Sequence, residues 1–311
     1  MNILITGGAG FIGSHLCDSL LEKENKITVV DNLILGKIEN ITHLMSRSDF
    51  TFLKEDLLNL LQLKSIFQIG KFDMVYHLAA NSDIQKGGTN PEVDYNLTFN
   101  TTFNVLQCMR EFNVKKLFFA STSAIYGETL ENLTEDFGPL LPVSNYGASK
   151  LASEAFISSF SASYGIQTWI TRFPNVVGER FTHGIIYDFI SKLNKNPNIL
   201  EVLGNGQQFK PYMYVKDLIK GILFVCENTN EHYNVYNLGS ESRTKVNEIA
   251  QMVIEAMKLE PKIEYTGGDR GWIGDVPEFR YDLSKIHALG WKAKHNSNDS
   301  VRLAIKKILE K

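Results

Sequence analysis

The sequence predicts a doubly wound α/β fold, in which a parallel sheet carries helices on both faces. A glycine-rich stretch at residues 6–13, TGGAGFIG, separates an apolar strand from a helical pattern. Apolar runs of strand length then alternate with helical patterns through the first half of the chain, and this alternation is typical of a parallel sheet. With 311 residues, 43% of them hydrophobic, the chain is long enough to bury a large core in two domains.

The first unit of this pattern is a strand, a glycine turn and a helix. Residues 1–5 form the apolar run, and apolar residues recur at helical spacing after the glycines. Glycines allow a tight turn and the close approach of a diphosphate to backbone N–H groups, and a helix N-terminus adds partial positive charge. We therefore predict a phosphate cradle made of Gly7, Gly10, Phe11, Ile12 and Gly13.

The second and third strands, at residues 27–30 and 50–53, each lead into an acid. Asp31 and Asn32 end the second strand, where a carboxylate can accept both hydrogen bonds of an adenosine ribose. An acid there favours NAD over NADP, because a 2′-phosphate would meet like charge. After the third strand, Asp56 and Leu57 lie near the predicted adenine site, and Asp56 either binds the adenine amino group or caps the helix predicted at residues 58–67.

The fourth and fifth strands are predicted at residues 72–80 and 116–120. The fourth runs into Leu78, Ala79 and Ala80, where small side chains let the backbone approach the cofactor. A long helix is predicted from Pro91 to Phe112 between the two strands. The fifth strand leads into a hydroxyl cluster, STSAIYG, at the carboxyl end of the sheet, where ligands bind in such folds.

Tyr146 and Lys150 are four residues apart at the start of a helix predicted to run to about Tyr164. This spacing places both side chains on one helical face. A lysine ammonium favours the ionised phenol and lowers its pKa from about 10 towards working pH. Tyr146 is therefore a candidate general base, and Thr122 can hydrogen-bond the same substrate oxygen.

Together these segments resemble the extended short-chain dehydrogenase/reductases, in particular their nucleotide-sugar epimerase/dehydratase group. The resemblance covers essentially the whole chain and rests on TGGAGFIG at 6–13, DNL at 31–33, HLAA at 77–80, STSAIYG at 121–127 and YGASK at 146–150. It implies a Rossmann-type domain that binds NAD. It also implies that Thr122, Tyr146 and Lys150 are catalytic and that they act in oxidation at C4 of a nucleotide-diphosphate sugar.

The second half continues this resemblance through two further sheet strands, at residues 167–172 and 233–238. Helices are predicted at 185–193, 215–226, 246–257, 282–289 and 301–309, with a short strand at 199–203. The resemblance implies that substrate is bound by Thr122, Ser123, Asn175, Lys210 and Arg270. Lys210 stands where relatives place a phosphate-clamping Arg, and lysine binds phosphate as a point charge. Lys210 is alternatively a solvated surface lysine, and Arg270 a surface ion-pair partner.

The domains are predicted to be interleaved. Residues 1–172, with a return segment at about 209–239, form the NAD-binding Rossmann domain. Residues 173–208 and 240–311 form a smaller α/β nucleotide-sugar-binding domain, with substrate in the cleft between the two.

The predicted net reaction is 4-epimerisation. The same first step serves a C4 dehydrogenase that releases a 4-keto product from a mannose-type or longer-chain sugar, because residues 81–88 depart from the segment of galactose epimerases. A 4,6-dehydratase is disfavoured, since relatives of that type carry Asp-Glu directly after the strand-end threonine, where Ser123 and Ala124 stand here. A non-catalytic sensor of NAD and nucleotide sugar is disfavoured because Thr122, Tyr146 and Lys150 are all present.

Composition excludes other classes of function. The net charge of -3 gives no basic footprint for nucleic acid, and no apolar run approaches the 18 or so residues of a membrane span. Cys17, Cys108 and Cys226 lie far apart in apolar patterns, which predicts reduced thiols, no metal site and a cytoplasmic protein. The helices at 91–112 and 146–164 keep apolar residues beyond one sheet-facing side, and the family commonly pairs them between subunits, so we expect a homodimer.

Overall fold

The structure, a computed structural model, describes residues 1–181, 183–272 and 274–310. The chain divides into two compact units. The first consists of residues 1–125, 145–172 and 222–236, and the second of residues 126–144, 173–221 and 237–311. Each unit has its own buried apolar core.

The first unit is built around a seven-stranded sheet. In chain order its strands are β1 (Asn2–Thr6), β2 (Lys26–Val30), β3 (Phe50–Leu53), β4 (Met74–His77), β5 (Lys116–Thr122), β6 (Gln167–Phe173) and β7 (Tyr233–Asn237). Across the sheet they follow the order β7-β6-β5-β4-β1-β2-β3. The pairs of β1 with β2, β2 with β3, β1 with β4 and β4 with β5 are parallel. The predicted fold class and the seven predicted sheet strands are confirmed.

The strand order reverses at β1, between β2 and β4, and ligands bind at such switch points in open α/β sheets. Thr6, the last residue of β1, lies opposite Val30 on one side and His77 on the other. Ile3, Leu4 and Ile5 are fully buried. The strand is apolar along its length because both faces of a parallel sheet are covered.

Eleven α-helices can be named in the part of the chain that the structure describes. They are α1 (Phe11–Leu21), α2 (Leu60–Gly70), α3 (Ile84–Thr89), α4 (Pro91–Asp94), α5 (Thr101–Glu111), α6 (Asn145–Tyr164), α7 (Ile185–Lys195), α8 (Val215–Asn228), α9 (Val246–Met257), α10 (Ser284–Ala288) and α11 (Ser297–Leu309). Short 3₁₀ helices occupy Ile38–Asn40, Thr42–Leu44 and Ser123–Tyr126.

The single helix predicted from Pro91 to Phe112 is wrong in its interior. Helix α4 ends at Asp94, and Tyr95–Asn100 form a π-helix before α5 begins. Threonine hydroxyls bond to carbonyls within this stretch: Thr101 Oγ1 donates to Leu97 O at 3.0 Å and Thr102 Oγ1 to Thr98 O at 2.7 Å. Side-chain bonds of this kind often bend helices, and apolar periodicity carries no sign of them.

The second unit contains four short strand pairs and its own helices. The pairs are Asn175–Val177 with Tyr212–Tyr214, Ile199–Val202 with Lys262–Tyr265, Phe209–Lys210 with Thr244–Lys245, and Asn132–Leu133 with Arg280–Tyr281. Its core is formed by apolar residues of α7, α9, α11 and the adjacent strands, with Ile186, Leu200, Ile249, Val253 and Ala304 fully buried.

Several boundaries differ from those expected. Residues 126–144 and 209–221 belong to the second unit, whereas they were expected in the first domain. Helix α2 begins at Leu60 because Asn59 caps it, accepting a hydrogen bond from Gln62 N. Helix α3 was not predicted, since its sequence, IQKGGT, contains two adjacent glycines of low helix propensity.

The three cysteines are free thiols, with Cys17 and Cys108 buried. Among the residues that the structure describes, no helix has the length and apolar character needed to cross a membrane. Within the same residues, no group of three or more His, Cys, Asp or Glu side chains is arranged to hold a metal ion.

Candidate active site

In the glycine turn, a side chain at Gly7 or Gly13 would collide with neighbouring backbone. Gly7 has a φ of +72°, and a Cβ added to it would lie 2.7 Å from Ala79 N. A Cβ on Gly13, in the first turn of α1, would lie 2.2 Å from Gly7 O. Gly10 is the N-cap of α1, and Phe11 and Ile12 are half-buried in its first turn. The turn therefore exposes backbone N–H groups at a helix N-terminus, as a bound diphosphate requires.

Asp31 lies at the end of β2, beside this turn. One carboxylate oxygen accepts from Ala9 N at 3.0 Å and the other from Leu33 N at 2.9 Å. Burial raises the pKa of Asp31, and its backbone hydrogen bonds oppose the shift. A carboxylate offers about four acceptor positions, so this one can also accept hydrogen bonds from a ribose.

Asn32 and Asp56 meet next to Asp31. Asn32 Nδ2 donates to Asp56 Oδ2 at 3.2 Å, and the other Asp56 oxygen accepts from Leu58 N at 2.8 Å. Asp56 is not the cap of α2, which is Asn59, so that alternative is wrong. Leu57 is 5% exposed and belongs to the core, where its carbonyl accepts from Asn104 Nδ2 at 2.9 Å.

A buried chain of hydrogen bonds runs below the cradle, from the end of β1 through β4 to α5. Thr102 Oγ1 donates to Thr98 O, so the 2.9 Å contact with His77 must be a bond from His77 Nε2–H. Nδ1 of His77 consequently accepts from Thr6 Oγ1 at 2.6 Å. Burial lowers the pKa of His77 to about 3, with the Lys150 charge adding to the shift. His77 is therefore a neutral structural group.

Leu78, Ala79 and Ala80 continue from β4 past this chain. Leu78 N donates to Thr6 O at 3.1 Å and Ala79 N to Thr6 Oγ1 at 3.4 Å. These bonds hold the Ala79 backbone against Gly7. The glycine cradle and the predicted cofactor residues that follow β2 and β4 therefore lie together at the carboxyl edge of the sheet.

Thr122, Tyr146 and Lys150 are brought together at the end of β5 and the start of α6. Thr122 ends β5, and its hydroxyl hydrogen-bonds the Tyr146 phenol. Lys150 Nζ donates to Ala120 O at 2.7 Å and lies 4.6 Å from the Phe119 ring centroid and 6.0 Å from that of Tyr146. A phenol, a hydroxyl and an ammonium so arranged can abstract and return a proton.

The expectation that Lys150 lowers the pKa of Tyr146 is wrong for this arrangement. Burial raises the pKa of Tyr146 to about 12, the Thr122 hydrogen bond opposes the rise, and the Asp94 carboxylate adds to it. The Lys150 ammonium, which bonds to Ala120 O, is not among the groups that shift this pKa. Burial also lowers the pKa of Lys150 to about 7, against the influence of Glu154.

Two acids near this group were not identified from the sequence. Glu154 follows Lys150 by four residues on α6 and is held by Arg172, with Nε–Oε1 and Nη2–Oε2 distances of 3.1 and 2.7 Å, and by Ser121. The repeated spacing of four residues from Tyr146 through Lys150 is the signal that would have found Glu154. Asp94 had no comparable signal, because it is fully buried next to the unforeseen π-helix.

The predicted substrate residues divide between the two units. Thr122 and Ser123 belong to the first unit, and Asn175, Lys210 and Arg270 to the second. Asn175 is exposed and lies opposite Tyr212 in a strand pair. Lys210 is 9% exposed, forms an ion pair with Asp275 and lies 5.3 Å from the Trp272 ring centroid. It is therefore not a solvated surface lysine.

Arg270 is a partly exposed ion-pair partner. Its Nη2 contacts the two carboxylate oxygens of Glu128 at 2.9 and 2.8 Å, and its Nη1 donates to Asp275 O at 3.3 Å. Asp275 thus links Lys210 and Arg270. An anion that binds either cation must compete with a carboxylate already in place.

Comparison with known proteins supports the interpretation of these motifs. Residues 3–239 match the NAD dependent epimerase/dehydratase family. A solved UDP-galactose 4-epimerase is 35% identical, with a TM-score of 0.88 and coverage of 100% of this chain and 99% of the other. The UDP-glucose 4-epimerase of Thermus thermophilus, solved in complex with NAD, is 30% identical with a TM-score of 0.88, covering 99% and 98% of the two chains. The dTDP-D-glucose 4,6-dehydratase of Mus musculus is 29% identical over 94% of this chain and 84% of its own.

The shifted pKa of Lys150 predicts a specific dependence of stability on pH. The folded protein loses the Lys150 proton near pH 7, whereas an unfolded lysine keeps it to about 10.5. The unfolded state binds more protons between these values, so the free energy of unfolding rises with pH. In Lys150→Met this contribution is absent, and the wild type should gain about 2 kcal/mol relative to the variant between pH 7 and pH 9.

Chemical denaturation across this pH range measures the difference. Lys116→Met, which changes an exposed lysine at the opposite end of β5, is the matched control and should parallel the wild type. Parallel curves for the wild type and Lys150→Met would contradict a neutral-range pKa for Lys150.

Proposed function

Since the chain belongs to the NAD-dependent epimerase/dehydratase family, we propose that it oxidises C4 of a nucleotide-diphosphate sugar and acts as a 4-epimerase. The observation that carries this proposal is the grouping of Thr122, Tyr146 and Lys150 at the carboxyl edge of the sheet that also carries the glycine cradle. Ser123 and Ala124, which follow Thr122, carry no carboxylic acid. The chain therefore lacks an acid at the positions that dehydratases of this group use to expel a hydroxyl.

NAD is the cofactor in this proposal. Gly7, Gly10, Phe11, Ile12 and Gly13 hold its diphosphate at the N-terminus of α1. Asp31 binds a ribose, Asn32, Asp56 and Leu57 line the adenine, and Leu78, Ala79 and Ala80 border the remainder with Tyr146 and Lys150. When bound, NAD would supply the acceptor for the hydride that leaves C4 of the sugar.

The side chains have distinct roles in the proton chemistry. Tyr146 accepts the proton of the sugar C4 hydroxyl and later returns it. Thr122 orients the C4 oxygen with its own hydroxyl, which in the structure bonds the Tyr146 phenol. Lys150 must not hinder the ionisation of Tyr146, and its positive charge favours the phenolate form. Ser123, Asn175, Lys210 and Arg270 contact the sugar diphosphate, the last two by exchanging a carboxylate for a phosphate.

The position of Asp31 predicts preference for NAD. NAD should bind about a hundredfold more tightly than NADP, because a 2′-phosphate would lie within a few ångströms of the Asp31 carboxylate. Asp31→Asn removes the charge but keeps an acceptor, and should bring the two affinities closer. Isothermal calorimetry of both cofactors with both proteins measures this. Equal affinities in the wild type would show that Asp31 does not contact the ribose.

The net reaction is tested by following products by NMR with UDP-glucose and dTDP-glucose as probes. An epimerase keeps its reduced cofactor bound and returns hydride to the ketone, so a mixture of C4 epimers without accumulated ketone is expected. A 4-keto product with reduced cofactor remaining would instead establish a dehydrogenase. A 4-keto-6-deoxy product would establish a dehydratase.

Tyr146→Phe is the control for this assay. It removes only the phenolic proton acceptor, so it should keep the fold and NAD affinity and lose about 10²- to 10⁴-fold in kcat. Wild-type turnover in this variant would remove Tyr146 from the mechanism.

We also propose a homodimer formed through the π-helix, α5 and α6. Tyr95, Phe156 and Tyr164 expose 55%, 41% and 37% of their surface there, and the rings of Phe99 and Phe103 pack on Phe156 at 5.3 and 5.4 Å. Exposed aromatic residues grouped in this way are typical of subunit interfaces.

Light scattering at micromolar concentration should find a dimer for the wild type and a monomer for Phe156→Glu. Leu61→Glu, at a residue 80% exposed on α2, is the matched control and should remain dimeric. A monomeric wild type would contradict the proposed assembly.

A further inference from the structure

Helix α3 and the loop before it are held by four residues that we call the α3 clamp: Asn81, Gly87, Asp94 and Asn145. Asn81 is 1% exposed and makes bonds in three directions. Its N–H donates to Thr98 Oγ1 at 3.0 Å, and its Nδ2 donates to Asp83 O at 2.9 Å and to Asp94 Oδ1 at 2.8 Å. The start of α3 is thereby tied to α4 and the π-helix.

Asp94 and Gly87 make the closest contact of the clamp. Asp94 is fully buried, and its Oδ2 has no hydrogen-bond partner within the described chain. A Cβ added at Gly87 would lie 1.9 Å from this oxygen. Gly87 lies within α3, at an ordinary helical position without positive φ, so the space taken by Asp94, and not the backbone conformation, requires glycine there.

The other side of Gly87 reaches the start of the catalytic helix. Asn145 Nδ2 donates to Gly87 O at 3.0 Å, and Asn145 is the first residue of α6, immediately before Tyr146. The clamp therefore fixes α3 between the buried Asp94 carboxylate and the residue adjacent to the proposed base. On the solvent side of α3, Gln85 and Lys86 are exposed.

We propose that the α3 clamp positions helix α3 as a wall of the sugar site, so that Asp94 and Gly87 determine sugar affinity and preference without touching the cofactor. This inference rests on the proposed function. A buried carboxylate with no hydrogen-bond donor at one oxygen is costly to retain, and its retention beside the proposed base is consistent with a demand for one fixed position of α3. Asp94 and Gly87 are positioning residues, since neither is exposed to substrate.

The test compares Gly87→Ala with Gly88→Ala. Both add one methyl group to the same short helix, but a Cβ at Gly88 meets no heavy atom within 4 Å. Gly88→Ala therefore provides the baseline for the added methyl. Relative to it, Gly87→Ala should raise the KM for the nucleotide sugar about tenfold, because overpacking displaces α3. The Kd for NAD should stay within about twofold, since α3 contributes nothing to the glycine cradle.

A double variant of Asp94 and Gly87 distinguishes a displaced α3 from a general loss of stability. Asp94→Ala alone should raise KM, because Asn81 loses an acceptor and α3 loses its support. Combined with Gly87→Ala it vacates the space that the new methyl needs, so the double variant should have a lower KM than Gly87→Ala. The ratio of kcat/KM for UDP-glucose over UDP-glucuronic acid, which share a nucleotide and differ in the sugar, should change in Gly87→Ala and recover in the double variant.

Asn145→Ala tests the opposite side without overpacking, and serves if Gly87→Ala does not fold. It should raise KM about threefold and leave the Kd for NAD unchanged. Three results would each overturn the clamp alone. These are equal KM values for Gly87→Ala and Gly88→Ala, a KM in the double variant that exceeds that of either single variant, and an unchanged KM in Asn145→Ala. A wild-type protein that turns over no nucleotide sugar would overturn the proposed function, and the clamp with it.

Discussion

The close approach of α1 to the turn after β1 is the constraint on which the first unit depends. Gly13 touches Gly7 O, and Gly7 in turn touches the Ala79 backbone. A side chain at either glycine would separate β1 from α1 or from the loop after β4. The same approach brings Ala9 N within 3.0 Å of Asp31. One steric requirement thus sets the positions of the glycine turn, the Asp31 carboxylate and the loop that leads to helix α3.

Burial has a larger effect than ion pairing on the charges of Tyr146 and Lys150. Lys150 is 2% exposed, and its desolvation lowers its pKa to about 7. Burial also raises the pKa of Tyr146, and the Asp94 carboxylate adds to that rise. The protein alone therefore favours a neutral phenol beside a lysine that is only partly charged at neutral pH. Ionisation of Tyr146 therefore requires a change in these surroundings that favours the phenolate, such as a closer approach of a charged Lys150.

Much of the first unit was predictable because its signals are local. An apolar run followed by glycines at residues 7, 10 and 13 predicts strand, turn and helix, and Tyr146 with Lys150 shares a helix face by spacing alone. The π-helix at Tyr95–Asn100 was not predictable, since the apolar spacing of this stretch is the same as that of a regular α-helix. The ion pairs of Lys210 and Arg270 were not predictable either. Asp275 is distant from Lys210 in the sequence, and Glu128 is distant from Arg270.

Burial and Glu154 act in opposite directions on the pKa of Lys150. Glu154 is buried and bonded by both nitrogens of the Arg172 fork, so much of its charge is already compensated. Glu154 nevertheless raises the pKa of Lys150 and opposes the larger effect of burial. Without Arg172, Glu154 would itself be an unpaired buried charge, which is strongly destabilising. The acid can therefore support the cation of Lys150 only because β6 supplies an arginine that pairs with it.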